Sequence, residues 1–303
     1  MCNVHSLKIP YGLLNGQLKH VSEVKRGLGC ECVCVSCGEK LVAKKGNKTV
    51  HHFAHDAKTG CVNATETAIH LAAKEILEEC RVISLPGAFL KYIGNTIYVS
   101  EQATVELDTV EVEKSIGDFR ADLVAYFKGV PLIIEIKVTH AVGVSKRKAI
   151  KESGVSAIEI SLDKISRECT REELKRAVID TVENKIWLYH RKLETLQTNI
   201  IRLCERIYIH SDISESTGYF FTYIDYCPLQ ESLWESNKSN YFSDDNCWRC
   251  EYFYSDVHCS SEEEMEKYGH SPFAIMCLGR HKVKTYQDYK NVLENVANAQ
   301  RAL

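Results

Sequence analysis

The chain has 303 residues, a net charge of −3 and 14 cysteines. Its mixed composition excludes a disordered or fibrous class, and the near-neutral balance excludes nucleic-acid binding through a global basic field, leaving only local patches. No apolar run reaches the length of a membrane span, and the opening MCNVHSLKIP lacks the layout of a signal peptide, so a cytoplasmic protein with no membrane partner is expected.

In a chain this large, CxxC pairs near histidines point to metal rather than to disulfides. Between Gly29 and Cys61, short alternating strands and Gly turns surround Cys34-Val-Ser-Cys37, the pattern of a zinc ribbon or knuckle. Zn²⁺ takes four N or S ligands in a tetrahedron, and Cys34 with Cys37 supplies the first pair. The second pair comes from His52, His55 and Cys61. Because His52 and His55 fall on opposite faces of a strand, Cys61 plus one of the two histidines is expected. A competing reading makes Cys30, Cys32, Cys34 and Cys37 small core residues.

A helical pattern follows in NATETAIHLAAKEILEEC, with Ile69, Ala72, Ala73, Ile76 and Cys80 on one face. Asn63 is its candidate N-cap and Glu66 a capping-box partner. NTIYVS and ATVELDTVEV read as strands, with turn signals at Pro86-Gly87 and Gly94-Asn95. Two stronger strands, DFRADLVAYF and VPLIIEIKVTH, flank Lys128-Gly129, a hairpin signal. Ser145 to Glu152 reads as a basic helix ended by Gly154, and VSAIEISL as another buried strand. From Asn63 to Leu162 the order is therefore helix, three strands, helix, strand.

Ser166 to Ile209 reads as one long helix with apolar positions at Leu174, Val178, Val182, Ile186, Tyr189 and Leu193, either a spacer or a helix that pairs as a homo-oligomer or with partner proteins. The tail carries Cys227, Cys247, Cys250 and Cys277, a candidate second zinc site of four thiolates, with Cys259 as a competing ligand. Both zinc sites would be structural. The expected organisation is a zinc-finger-like element at 1–62, a core of helices and strands at 63–165, the long helix at 166–210 and a helical, cysteine-containing region at 211–303, the last expected to bind zinc by its cysteine content.

One strand holds an anomaly. In LIIEIKVTH, Glu135 and Lys137 interrupt a β-branched run and project to the same face as Ile133. If Phe127 faces Val130 across the hairpin, Asp122 falls opposite Glu135 and Arg120 opposite Lys137. Like charges at that spacing destabilise a sheet, so the carboxylate pair calls for a cation. Mg²⁺, or Mn²⁺ in its place, takes oxygen ligands and activates water on a phosphate, while Lys137 could orient that water or stabilise developing charge. Lys146, Arg147, Lys148 and Lys151, with Lys44, Lys45 and Lys48 near the knuckle, are candidate phosphate contacts.

The spacing of Asp122, Glu135 and Lys137 resembles the PD-(D/E)xK nuclease superfamily, whose αβββαβ core has the element order read here. Cys34-x2-Cys37, Leu41, Lys45-Gly46, His52-Phe-Ala-His55, Cys61 and Glu66-Thr-x2-His70-x3-Lys74 resemble the competence protein CoiA-like family over roughly Gly29 to Leu162. The resemblance implies an α/β, restriction-endonuclease-like core joined to a zinc-ribbon-like element, and it implies Glu66 as a further metal ligand. Asp118 is a second-choice ligand, and His140 reads as a capping or surface residue. The expectation is a metal-dependent DNA nuclease acting in DNA processing, recombination, competence or phage defence. Its rivals are a non-catalytic zinc-dependent DNA-binding module and a scaffold.

Overall fold

The computed structural model describes residues 8–57, 61–229 and 247–301. The chain divides into two compact units, Met1–Pro86 with Gln102–Arg191 and Gly87–Glu101 with Lys192–Leu303.

The first unit is built around the helix α1, Ala64–Cys80, which buries Ala68, Ile69, Ala72, Ala73, Ile76 and Leu77 as the apolar spacing requires. It stops at Arg81, whose left-handed backbone (φ +50°) returns its N–H to the Leu77 carbonyl. The Asn63 side chain makes no capping hydrogen bond, so the expected capping box with Glu66 does not form. Strands β1 (Thr109–Val112), β2 (Leu123–Phe127) and β3 (Val130–Lys137) follow, then α2 (Val144–Ser153), β4 (Ser156–Ser161), α3 (Arg171–Ile179) and β5 (Lys185–Tyr189).

These strands form one five-stranded sheet in the order β5-β4-β3-β2-β1. Only β3 and β4 run parallel, and α2 is the crossover that parallel neighbours need. Lys128 (φ +49°) and Gly129 (φ +73°) both take the left-handed conformation of a type I′ turn, which sets Phe127 against Val130 and Leu123 against Ile134. The sheet alternates cleanly. Leu132, Ile134 and Ile136 share a core with α1, and Val124, Ile133 and Ala157 pack with Ile150 of α2.

The N-terminal residues form two hairpins, Tyr11–Leu14 with Gln17–His20 and Leu41–Lys44 with His52–His55. Ile9, Tyr11, Leu41 and Phe53 join the core that also contains the α1 residues, so the expected element at 1–62 has no core of its own.

Four expectations are corrected. The long helix at 166–210 is absent: its apolar positions are divided among α3, β5 and helix α4, Arg191–Leu203. Lys185-Ile-Trp-Leu-Tyr189 pairs antiparallel with β4, a sheet edge that no helical periodicity reveals, and Asn184 holds the preceding turn by donating to the Ser161 and Ala177 carbonyls. Arg120 does not oppose Lys137, because β2 begins only at Leu123 and Arg120 pairs with Ser115 in a small ribbon. Asp118 lies at the exposed turn of that ribbon rather than in a strand of the five-stranded sheet. Finally, 63–165 is not one body, since the hairpin Ala88–Lys91 with Thr96–Ser100 belongs to the second unit.

That second unit is sheet-bearing rather than helical. It carries β6 (Glu205–Ile213), β7 (Phe220–Ile224), β8 (Phe253–Val257), α5 (Glu262–Tyr268), β9 (Ala274–Cys277) and α6 (Tyr286–Arg301), the strands in the order β7-β6-β9-β8. Gly94 explains why the hairpin joins it. The Gly94 N–H donates to the Phe253 carbonyl at 2.9 Å, and a Cβ there would stand 2.1 Å from the Cys250 carbonyl oxygen, so only glycine permits the approach. Among the described residues no helix is long and apolar enough to cross a membrane.

Ile134 is fully buried on a central strand, whereas Val130 is exposed at the hairpin. Ile134→Ala is expected to lower unfolding free energy by about 2–5 kcal/mol and Val130→Ala by less than about 0.5 kcal/mol, measured by urea denaturation.

Candidate functional site

Two clusters of chemically reactive side chains occupy the first unit. In the first, a tight turn carries Cys34 and Cys37: the Gly38 N–H donates to the Cys34 carbonyl, the Ser36 N–H to Cys34 Sγ, and Gly38 takes φ +75°. His55 ends the facing strand, with Nε2 at 3.3 Å from Cys37 Sγ. Cys61 precedes α1. Donor atoms of Cys34, Cys37, His55 and Cys61 all lie within 4.8 Å of one another, the only such group among the described residues. Burial pushes the Cys34 thiol up to about 11. It acts the same way on Cys61, but hydrogen bonds from Ser36, Cys37, Cys34 and the Ala64 amide outweigh it and lower that thiol.

A Cys3His donor set at this spacing could hold a structural zinc. Of the two candidate histidines it is His55 that stands within this group, while His52 is not among its members and its Nδ1 faces the Val50 carbonyl at 2.8 Å. Cys30 and Cys32 take the core role instead, their thiols donating to the Leu41 and Cys30 carbonyls. Lys45 is no free phosphate contact, since its ammonium donates to the Ser22 and Val24 carbonyls.

The second cluster lies where β2 and β3 separate. Asp122 precedes β2, and its Oδ2 accepts from the Ile136 N–H at 2.9 Å, which holds the carboxylate against β3 between the levels of Glu135 and Lys137. Two α1 residues complete its shell: His70 Nε2 at 3.0 Å from Oδ2 and Lys74 Nζ at 3.2 Å from Oδ1. Burial acts to raise the Asp122 carboxyl, but the hydrogen bond and charge of His70, the Ile136 amide and Lys74 outweigh it, leaving it well below the usual carboxylate range. Lys74 is 3 % exposed and also pairs with Glu113, so α1 turns His70 and Lys74 toward the carboxylates.

Glu135 is 3 % exposed. Burial first, and then the negative charge of Asp122, push its carboxyl up to about 7, only partly opposed by Lys146. Lys146 reaches from α2 to Oε2 at 2.6 Å, while Oε1 is buried with no hydrogen-bond partner. An orphaned carboxylate oxygen costs free energy unless something absent from the protein itself satisfies it. Beside it in the parallel register stands Glu159, also buried, whose Oε2 accepts from the Val142 N–H at 3.0 Å and lies 3.9 Å from Arg147. Sequence reasoning passed over Glu159, although a charge between Ile158 and Ile160 is the same signal that marked Glu135.

Other expected residues are engaged elsewhere. Lys137 donates to Asp163 at 2.7 Å. Glu66 lies 3.7 Å from the exposed His140. Of the four basic α2 residues, Lys146 and Arg147 turn toward the buried glutamates, and Lys148 stands exposed near Glu152. In the second unit Cys227, Cys247, Cys250 and Cys277 pack into one core, whereas the Cys259 thiol donates to the His270 carbonyl.

His55→Ala is expected to lower the zinc content of the purified chain by about one equivalent and His52→Ala to leave it unchanged, read by elemental analysis. Equal losses in both variants would refute the assignment of His55.

No curated protein and no solved structure matches the chain. Residues 17–64 match the family model described as competence protein CoiA, N-terminal domain. All four donors of the Cys3His group fall inside that span, and the carboxylate cluster falls outside it. Over these residues the chain is similar to the CoiA N-terminal domain.

Proposed function

We propose that the protein is a metal-dependent DNA nuclease acting in a competence-related process. The observation that carries this reading is the unpartnered, buried Oε1 of Glu135 next to the ionised Asp122. Within the five-stranded sheet, the antiparallel run β1-β2-β3 followed by the crossover helix α2 and the parallel strand β4 supports it, the strands between α1 and β1 and the ribbon between β1 and β2 lying outside that sheet. DNA as the substrate rests on the competence in the name of the matching family.

The donor set suits a hard divalent cation, because Asp122 and Glu135 are oxygen ligands on a rigid strand pair. Mg²⁺ bound there would activate water and neutralise charge on a phosphate. The chain's own groups prepare the site. His70, Lys74 and the Ile136 amide keep Asp122 ionised and oriented. Lys146 fixes Oε2 of Glu135, which leaves Oε1 to bind. Lys137 lies on the same face two residues along the strand, and its exchange from Asp163 to a phosphate oxygen would stabilise developing negative charge. Glu66 at the start of α1 is proposed as a supplementary ligand. Lys148 and Lys151 are proposed to contact the DNA backbone, as phosphate contacts position without specifying sequence.

A second reading has one observation in its favour. Both oxygens of Asp122 and the ammonium of Lys137 already have partners, as in a closed ion network of a non-catalytic DNA-binding module. Cleavage decides between the two. Glu135→Ala and Lys137→Ala are expected to remain folded and to lose Mg²⁺-dependent DNA cleavage by at least about 100-fold, as for removal of a single charge-stabilising group. Wild-type cleavage rates in both variants would leave the binding module standing.

The proton and the cation compete for the same buried carboxylate of Glu135. Mg²⁺ affinity is therefore expected to rise with pH through about 7, where Glu135 ionises, and to level off above it. Titration calorimetry across pH 5.5 to 8.5 measures this, and Glu135→Gln should flatten the profile.

A further inference from the structure

The cysteines of the second unit form a group that the nuclease reading does not use. Cys247-Trp-Arg-Cys250 folds as a tight turn, the Cys250 N–H donating to the Cys247 carbonyl at 2.9 Å and the Phe253 N–H to the Cys250 carbonyl at 3.0 Å. Burial pushes the Cys250 thiol up, against backbone hydrogen bonds from Tyr252 and Phe253 to its sulfur. Cys277 ends β9 opposite Phe253, and the Gly279 N–H donates to its Sγ at 3.3 Å. Backbone amides aimed at these two sulfurs oppose the burial that raises both thiols.

Cys227 arrives from the end of β7. A Cβ on Gly279 would stand 3.3 Å from both Cys277 Sγ and Pro228 Cβ, so the Cys227-Pro228 segment and the Cys277 sulfur converge on that glycine. Cys277 belongs to the apolar core of the second unit and Cys227, Cys247 and Cys250 pack against the same core, where burial first, and then the other three thiols, raise Cys247. None is in a disulfide. The sulfurs stand wider apart than the N-terminal quartet, which alone among the described residues closes within 4.8 Å.

We propose that Cys227, Cys247, Cys250 and Cys277 bind a second, structural zinc ion, drawing the four side chains inward as it binds. Burial keeps the Cys247, Cys250 and Cys277 thiols protonated, and a soft divalent cation with tetrahedral preference takes the place of the thiol protons, which leave to solvent as the four Zn–S bonds form. The ion would fasten the chain before and after residues 228–246 to the β8–β9 end of the sheet. Cys259 is not part of that core, its thiol donating to the His270 carbonyl. The proposal is independent of the nuclease reading.

The test is the zinc content of full-length Cys34→Ser/Cys37→Ser, which lacks the N-terminal ligand pair. It should retain about one equivalent, lose it on adding Cys250→Ser, and keep it on adding Cys259→Ser. No retained zinc, or retention unaffected by Cys250→Ser, would overturn the proposal. Should these variants not fold, Co²⁺ titration of the wild-type chain decides: about two equivalents with thiolate-to-cobalt charge-transfer absorption support it, and saturation at one refutes it.

Discussion

The left-handed pair Lys128-Gly129 governs the geometry of the carboxylate cluster. A type I′ turn fixes the register of β2 against β3, and register decides which side chains face α1 and which face α2. A slip of one residue would send Glu135 into the apolar core under α1 and bring Ile134 or Ile136 to the cluster. With the register held, Asp122 arrives beside the Ile136 amide, and Glu135 is buried on the face where Lys146 waits.

From that placement follows a division between two acids of the same chemistry. Asp122 is surrounded by cationic and amide donors and remains ionised. Glu135, a short distance away, has one cationic partner, a negative neighbour and a dry environment, so its carboxyl titrates near neutrality. Pairs of carboxyl groups whose surroundings separate their affinities for protons recur where a protein must bind a cation or move a proton. Here the division depends on α1, because His70 and Lys74 come from one helix face while Asp122 and Glu113 come from chain some forty to fifty residues on.

The sulfur chemistry is organised separately. The Cys3His group shares its unit with the carboxylates and closes the N-terminal hairpins just before α1, whereas the four tail thiols lie in the core of the second unit. Neither hairpin of the N-terminal region has enough apolar area to stand alone, and the buried Tyr11, Leu41 and Phe53 are completed by the α1 core. A structural ion there would add stability where the chain is thin in core.

The sequence by itself determined the local features: the α1 face, the Lys128-Gly129 hairpin, the Gly154 stop after α2, the pairing of Cys34 with Cys37, and the two charges misplaced in a β-branched strand. Each rests on periodicity, turn chemistry or spacing within a few residues, which neighbouring side chains alone can specify. The tertiary structure decided what depends on distant partners. It broke the apparent helix at 166–210 because β4 offered an unpaired edge to Lys185–Tyr189, and it moved the hairpin of 87–101 to the second unit because Gly94 lets it close on Phe253. It chose His55 over His52, buried Lys74, sent Lys137 to Asp163 and brought Lys146 to Glu135. A charged side chain's partner is set by which strands and helices meet, and that is a property of packing rather than of the residues on either side of it.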